Sequence, residues 1–377
     1  MRPASEVERR RLNETFAELC AIASPSGSEG AMAQRVRAEL EAVGFRVAED
    51  DAGRDRGGEC GNLLARIPGR SERGVLLCTH LDTVPHSGSI KPVLVDGGWQ
   101  SAGDTILGAD NKAAVAVVLE LARRASIEGS PVGLELLFTV REEEALAGAK
   151  AFDAGQLESA FGYVFDHASP IGEVVAASPT YVRFEADFRG KAAHAGIRPE
   201  QGRSAIAAAA QAVSAMQLGR VDHETTTNVA QIRGGVPGTN VVPEHCVIVG
   251  EARSLSQATV EATVAEIIDH CYDAANTPAH SCDLDVTVER LFEGYRHKTS
   301  APQVLAAEAA LRACGYTTSR ILTGGGSDAN VFEAAGFPCT NIANGTERNH
   351  EPSERVSQAA LEGMLDVVFA LLDEVAA

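Results

Sequence analysis

Apolar positions recur with two different periods along this chain, and the change between them divides it. In the first stretch, short apolar runs are separated by segments of helical spacing. Glu8 to Ala23 reads as a helix, Ser24-Pro-Ser-Gly-Ser-Glu-Gly30 as a turn, and Ala31 to Val43 as a second helix. Gly61-Asn-Leu-Leu-Ala-Arg-Ile67 opens a strand, Val75 to Cys78 is another, and Asn111 to Ala125 is again helical. Leu134 to Val140 and Tyr163-Val-Phe165 complete the series as strands. Strands alternating with helices predict a mostly parallel sheet with helices on both faces, an α/β architecture.

Near Ala177 the texture changes. Tyr181-Val-Arg-Phe-Glu-Ala-Asp-Phe188 alternates apolar and polar residues, as a half-exposed strand does. Ser204 to Met216 is an Ala-rich helix, Thr226 to Arg233 and Cys246 to Ala252 are strand-like, Gln257 to Ala275 is helical, and Leu284 to Leu291 alternates again. This block predicts an inserted α+β domain with an antiparallel sheet. After Tyr295 the helix–strand alternation returns and ends in the amphipathic helix Gln358 to Val375. The expected organisation is a discontinuous main domain, 1–175 and 295–377, interrupted by a second domain at 176–294.

A chain of 377 residues is long for one core, in keeping with two domains. With 45% hydrophobic and 23% charged residues it has the composition of a globular protein. The 33 Lys and Arg are outnumbered by 52 Asp and Glu, and the net charge of -19 argues against nucleic acid or an anionic membrane surface as partner. Met1 to Arg11 has no apolar core of the kind a signal peptide needs, and no stretch has the apolar length of a membrane span. The eight cysteines are scattered, and none forms a C-x-x-C pair. They read as reduced thiols, so a cytoplasmic location is expected.

Candidate chemistry begins at the end of one apolar run. In Gly74-Val-Leu-Leu-Cys-Thr-His80-Leu-Asp82, residues i and i+2 of an extended backbone point the same way. His80 and Asp82 should stand together, which suits a metal-ligating imidazole held by a carboxylate. Asp110 lies in Gly108-Ala-Asp-Asn-Lys112, Glu142, Glu143 and Glu144 follow a strand, Asp166 follows another, and His350 lies in Asn349-His-Glu-Pro352. Singly these read as a helix cap, a solvated charge run, a turn residue and a surface histidine. Together, most sit after strands or at a helix start, positions that gather at the carboxyl edge of an open α/β sheet. Two histidines with several carboxylates suit zinc, cobalt or manganese. They are more than one ion needs, which points to two ions sharing Asp110. Adjacent glutamates diverge, so one can bind metal while its neighbour faces a water and takes its proton.

These motifs resemble the co-catalytic zinc exopeptidase family of peptidase T, carboxypeptidase G and aminoacylase, over nearly the whole chain. Gly61-Asn62-Leu63, Gly148-Ala-Lys150 and Gly325-Gly-Ser-Asp-Ala-Asn330 resemble its peptidase T-like branch. The resemblance implies a zinc-exopeptidase-like catalytic domain whose inserted lid also makes a homodimer interface. It implies His80, Asp110, Glu143, Asp166 and His350 as ligands of two divalent ions, most often zinc, with Asp110 bridging. Asp82 would orient His80, and Glu142 would be the general base. In the lid, Lys191-Ala-Ala-His194-Ala-Gly resembles the segment whose histidine stabilises the oxyanion. Gly238-Thr-Asn240 and Glu251-Ala-Arg253 resemble substrate-facing positions, as does Asn330 in the main domain.

Two departures from the family pattern stand out. Glu144 and Ala145 replace an aliphatic residue and a glycine after the Glu pair, leaving two registers, Glu142/Glu143 or Glu143/Glu144; the spacing from Thr139 favours the first. Glu351 follows the late histidine where relatives carry a small or hydroxyl residue. The implied activity is hydrolysis of short peptides, as a tripeptide aminopeptidase. Carboxypeptidase or N-acyl amino acid deacylase is the alternative within the family, and a non-catalytic binding paralogue the alternative outside catalysis. Asp328, Glu144 and Glu351 are spare carboxylates for a substrate ammonium group.

Overall fold

The structure, a computed structural model, describes residues 1–54 and 57–377. The chain forms two compact units. One comprises Met1–Ala176, His297–Leu322 and Ser327–Ala377; the other comprises Ala177–Arg296 and Thr323–Gly326.

The first leg of the larger unit runs α1 (Glu6–Cys20), α2 (Gly30–Ala42), β1 (Val47–Glu49), β2 (Leu63–Ile67), β3 (Gly74–His80), β4 (Pro92–Val95) and β5 (Gly98–Ser101). It continues with α3 (Ala109–Glu128), β6 (Gly133–Thr139), α4 (Ala147–Ala151), β7 (Gly162–His167) and β8 (Glu173–Ser178). Ser5 and Glu8 cap α1 reciprocally, and the helix ends at Cys20 rather than at Ala23. The β4–β5 hairpin, absent from the periodicity reading, turns at Asp96-Gly97, where φ is 49° and 70°.

The second unit contains β9 (Thr180–Arg189), α5 (Ala205–Ala215), β10 (Gly219–Arg220), β11 (Thr225–Gly234), β12 (His245–Ser254), α6 (Gln257–Asn276), β13 (Asp283–Phe292) and β14 (Tyr295–Arg296). Five strands make an antiparallel sheet in the order β10-β11-β12-β9-β13. Burial alternates along β9, and Val182, Phe184, Ala186 and Phe188 form one core with Ala208, Val264 and Ile267 from α5 and α6. Thr323–Gly326 belongs to this unit because Thr323 N–H pairs with the Ala177 carbonyl and Gly326 lies against the Phe292 ring. A Cβ on Gly326 would stand 2.2 Å from that ring, so only glycine fits.

The chain then completes the larger unit with α7 (Pro302–Ala313), β15 (Ser319–Leu322), α8 (Asp328–Ala334), β16 (Cys339–Ala343), β17 (Thr346–Glu347), β18 (Arg355–Ser357) and α9 (Gln358–Ala376). Its main sheet has the order β1-β2-β6-β3-β7-β16-β8. The centre, β6-β3-β7-β16, is parallel, and the flanking pairings β1–β2, β2–β6 and β16–β8 are antiparallel. A small antiparallel sheet, β17-β18-β5-β4, lies beside it in the same unit. Because β3, β6 and β7 are parallel neighbours, their carboxyl ends share one edge. His80 pairs in register with Thr139, so the segments after both strands emerge together. Strand β3 is buried along nearly all its length, and helix α3 packs against α1 and α9.

Candidate metal centre

His80 closes β3 and is 2% exposed. Its Nδ1 faces Asp82 twice, at 3.0 Å from the backbone carbonyl and 3.3 Å from Oδ1. Its Nε2 faces Asp110 Oδ1 at 3.2 Å and Asp166 Oδ1 at 3.5 Å. The i, i+2 reasoning therefore describes the contact between His80 and Asp82. Asp82 does more than touch the imidazole. Its Oδ1 accepts the Glu142 N–H at 2.9 Å, and its Oδ2 accepts the Glu143 N–H at 3.1 Å and the Ser26 hydroxyl at 2.7 Å. One buried carboxylate thus couples the histidine of one strand end to the glutamates of the next.

Asp110 is not a helix cap. Gly108, with φ at 72°, precedes it, and Asp110 and Asn111 have non-helical backbone with a cis peptide between them. Asp110 Oδ2 lies 3.3 Å from His350 Nε2 and accepts from Asn349 Nδ2 at 2.8 Å. His350 Nε2 is also 2.9 Å from Glu143 Oε1. Three overlapping groups of potential ligand atoms result: His80, Asp110 and Asp166; Asp110, Glu143 and His350; and His80, Glu142 and Glu143. Within each group, the ligand atoms lie within 4.8 Å of one another.

Electrostatics in this cluster is dominated by burial. Burial pushes the Glu142 carboxyl well above its ordinary range, helped by the charge of Asp166. It does the same to Asp166, helped by Asp110. Burial alone would also raise Asp110, but hydrogen bonds from His350 and His80 outweigh it and hold that carboxyl low. His350 is pushed up to about 10 by its bonds to Asp110 and Glu143. Burial opposes protonation of His80, but the surrounding carboxylates raise it well above the usual imidazole value. Acids and imidazoles crowded out of water in this way form a site that cations would neutralise. The donors are nitrogen and oxygen, and Asp110 turns one oxygen to each imidazole, as a bridging ligand does. The residues present therefore fit a pair of divalent ions.

Several supporting residues had no counterpart in the sequence reading. Glu354, 1% exposed, accepts three backbone N–H bonds from the Asp110 loop. Its Oε2 takes Leu107 and Gly108 at 2.8 and 2.7 Å, and its Oε1 takes Asp110 at 2.9 Å. Burial pushes its carboxyl up to about 7 against those bonds. Asn62, noted only as part of a motif, accepts the Val140 N–H and donates to the Gly148 carbonyl, bracing the turn that carries the glutamates.

Other expected positions fall as follows. Asn330 is 1% exposed, and its Oδ1 accepts the Ser327 N–H in a cap of α8. Asp328 is not a surface carboxylate for a substrate. It is buried, accepts from Thr139 Oγ1 at 2.6 Å, and is raised to about 6 by burial. Glu144 is tied to Arg141 at 2.7 Å, and Glu351 is exposed and accepts from Ser353. In the second unit, His194 and Asn240 lie on adjoining loops, with the Ala195 N–H bonded to the Asn240 carbonyl. Arg253 pairs with Glu251 at 3.0 Å, stacks 4.0 Å over the Tyr181 ring, and donates to the Gly324 carbonyl. All eight cysteines are unpaired, and no helix among the described residues is long and apolar enough to cross a membrane.

Comparison with known proteins adds three findings. The model of a peptidase dimerisation domain, M20_dimer, matches residues 177–277. The uncharacterized protein YqjE of Bacillus subtilis is 34% identical over 372 residues, covering 98% of this chain and all of its own. Two solved structures superpose over the whole fold. Aminopeptidase PepT of Bacillus cereus has a TM-score of 0.88 at 36% identity, covering 98% of this chain and 99% of its own. A tripeptidase of Staphylococcus aureus has a TM-score of 0.91 at 33% identity, covering 98% of each.

Proposed function

We propose, from the premise that this chain belongs to the M20 peptidase family, that it is a dinuclear metallo-exopeptidase of short peptides, a tripeptide aminopeptidase that uses zinc. The observation that carries the reading is Asp110, with one oxygen 3.2 Å from His80 Nε2 and the other 3.3 Å from His350 Nε2. Its direction rests on the two solved relatives, an aminopeptidase and a tripeptidase at 36% and 33% identity.

In this reading His80, Asp110 and Asp166 would hold one ion, and Asp110, Glu143 and His350 would hold the other. The ions would supply Lewis acidity toward the scissile carbonyl and would acidify the attacking water. Asp82 keeps the His80 ring oriented through Nδ1, leaving Nε2 as the ligand atom. Glu142, buried and carrying no hydrogen bond from a neighbouring side chain among the described residues, takes a proton from the attacking water and returns it to the departing amine nitrogen. Burial and neighbouring negative charge raise its carboxyl, which suits a base that must work near neutral pH. His194 serves as the oxyanion donor, and Asn240, Arg253 and Asn330 read the substrate. Arg253 offers its guanidinium to the terminal carboxylate of a free-acid peptide. The second unit forms a homodimer interface, supported by the match to a peptidase dimerisation domain. Eight unpaired cysteines support a cytoplasmic location.

The test offers one tripeptide sequence in free, N-acetylated and C-amidated forms, before and after dialysis against a chelator. Cleavage of the free peptide, lost on chelation and restored by zinc, cobalt or manganese, is expected. Faster cleavage of the N-acetylated form would replace the aminopeptidase by a deacylase or carboxypeptidase. Undiminished activity in metal-free protein would end the metal reading.

A further inference from the structure

Three consecutive backbone amides, those of Arg141, Glu142 and Glu143, are held by two buried carboxylates from other parts of the chain. Asp82 takes the second and third. The first goes to Glu29, whose Oε1 accepts the Arg141 N–H at 3.1 Å and the Gly27 N–H at 2.9 Å. Glu29 occupies the N-cap position of α2 and is fully buried, but its side chain makes no capping bond there. Among the described residues its Oε2 is buried without a partner. The same loop reaches Asp82, because Ser26 Oγ donates to Asp82 Oδ2 at 2.7 Å. It is fastened along the segment after β3 by Ser26 N–H to the Thr83 carbonyl and Thr83 N–H to the Ser24 carbonyl. The loop Ser24–Gly30 therefore grips both turns of the site, one through Asp82 and the other through Arg141.

The turn it grips needs holding. Arg141, Ala145 and Leu146 all have positive φ, between 53° and 64°, where side-chain-bearing residues are uncommon. A run of such residues persists only when its surroundings determine it. A base and a ligand on adjacent residues are useful only while their carboxylates keep separate directions, and small displacements of a catalytic group lower rates steeply.

We propose that the Ser24–Gly30 loop is a positioning element for Glu142, acting through Glu29 on the Arg141 amide and through Ser26 on Asp82. The inference rests on the reading of Glu142 as general base. Glu29 and Ser26 are positioning residues: they touch neither substrate nor metal, and they set where the base stands.

The chemistry of Glu29 gives the test its resolution. Among the described residues a single oxygen makes both of its bonds, and the other oxygen makes none. Glutamine can therefore keep both bonds with its amide oxygen, while alanine keeps neither. Burial lifts the Glu29 carboxyl above its ordinary range, against the N–H bonds it accepts. With zinc supplied to the full chain, Glu29→Ala is expected to lower kcat about 10- to 100-fold, with KM within about twofold and both ions bound. Glu29→Gln should stay within about threefold of the unchanged protein. A second readout is hydrogen exchange of the 141–143 amides, with and without added zinc. Exchange should quicken in Glu29→Ala and not in Glu29→Gln.

Should Glu29→Ala fail to fold, Ser26→Ala carries the test, with a kcat loss of about 2- to 10-fold at unchanged KM. Full kcat in Glu29→Ala, or in Ser26→Ala where that variant stands in, overturns the proposal. A kcat loss that only follows lost metal also overturns it, as does a Glu29→Gln variant as impaired as the alanine. Glu142→Gln, measured alongside, separates the two claims. If it stays active, the reading of the base fails. If it is inactive with ions bound while Glu29→Ala is normal, only the positioning role fails.

Discussion

Asp82→Asn probes the joint on which the site turns. Asp82 is fully buried and receives four donors, two on each oxygen. Oδ1 faces the Glu142 N–H at 2.9 Å and His80 Nδ1 at 3.3 Å; Oδ2 faces the Glu143 N–H at 3.1 Å and the Ser26 hydroxyl at 2.7 Å. Asparagine offers one oxygen and one NH2 group, so one pair of donors must meet another donor. The milder orientation keeps oxygen toward Glu142 and His80. Ser26 can then turn its hydroxyl to accept, but the Glu143 N–H has no such freedom and stays buried without an acceptor. That loss amounts to about 1–3 kcal/mol, and exchanging a charged acceptor for a neutral one weakens the remaining bonds by about 1 kcal/mol each. After allowance for non-additivity within one network, about 3 kcal/mol of destabilisation is expected in urea titrations of the metal-free chain. Divalent-ion affinity, read by calorimetry with zinc alone, should fall by about 10- to 100-fold, because the ligand histidine loses part of its orienting partner. A variant within about 0.5 kcal/mol of the parent that also binds zinc equally well would refute the view of Asp82 as the joint between the two turns.

Four further outcomes are expected. Glu142→Gln should lower kcat by roughly 100-fold or more with ion content unchanged. Glu143→Gln should lose bound ion, and Glu144→Gln, tied to Arg141 on the surface, should lose neither; exchanged results for Glu143 and Glu144 would shift the register by one residue. Glu354→Ala strips the acceptor from three buried N–H groups and should destabilise the metal-free chain by at least about 3 kcal/mol, while Glu354→Gln should mainly weaken ion binding; two neutral variants would show that the Asp110 loop holds itself. His297, whose buried ring is depressed to about 4, is neutral when folded, whereas its unfolded counterpart takes a proton below about 6.5. Its contribution is present above about pH 6.5 and lost as pH falls to about 4, a span of about 3 kcal/mol that His297→Gln should flatten in a series of denaturation curves against pH.

The parts of this fold that could be read from sequence are those where burial imposes a period. β3, β6 and β7 are short apolar runs because both faces of a central parallel strand are covered, and the alternation along β9 reports a sheet with one covered face. The antiparallel flanks of the main sheet carry no such mark, since hydrogen-bond direction leaves no trace in a five-residue strand such as β2. The β4–β5 hairpin did carry one. Asp96-Gly97 is a turn pair that adopts positive φ at both residues, and its flanking strands are short and half exposed, so periodicity passes over them. The return of Thr323–Gly326 to the second unit is too short for any period; its signal is a glycine, and the reason is the Phe292 ring above it.

The site divides along the same line. Residues that present chemistry to a ligand must be His, Asp or Glu, and a regular strand end fixes their direction, so the meeting of His80 with Asp82, Asp110 and Asp166 could be anticipated from type and spacing. Residues that hold those ligands are acids as well, but their partners are backbone amides, which every residue carries. Glu354 reaches an amide 246 positions away and Glu29 one 112 positions away, and nothing at either end of those bonds distinguishes it in the sequence. The consequence is a misassignment with a direction. Read without structure, buried acids beside a motif look like spare ligands or substrate partners, as Asp328 does, although it is buried and accepts from the Thr139 hydroxyl. In this chain Glu142, Glu143 and Asp166 reach the cluster from strand ends and Asp110 from the start of α3, whereas Glu29 and Glu354 brace it from loops elsewhere in the chain. Counting carboxylates therefore overstates the ligands, whereas tracing which carboxylates accept N–H bonds separates those that can bind a cation from those already engaged with the main chain.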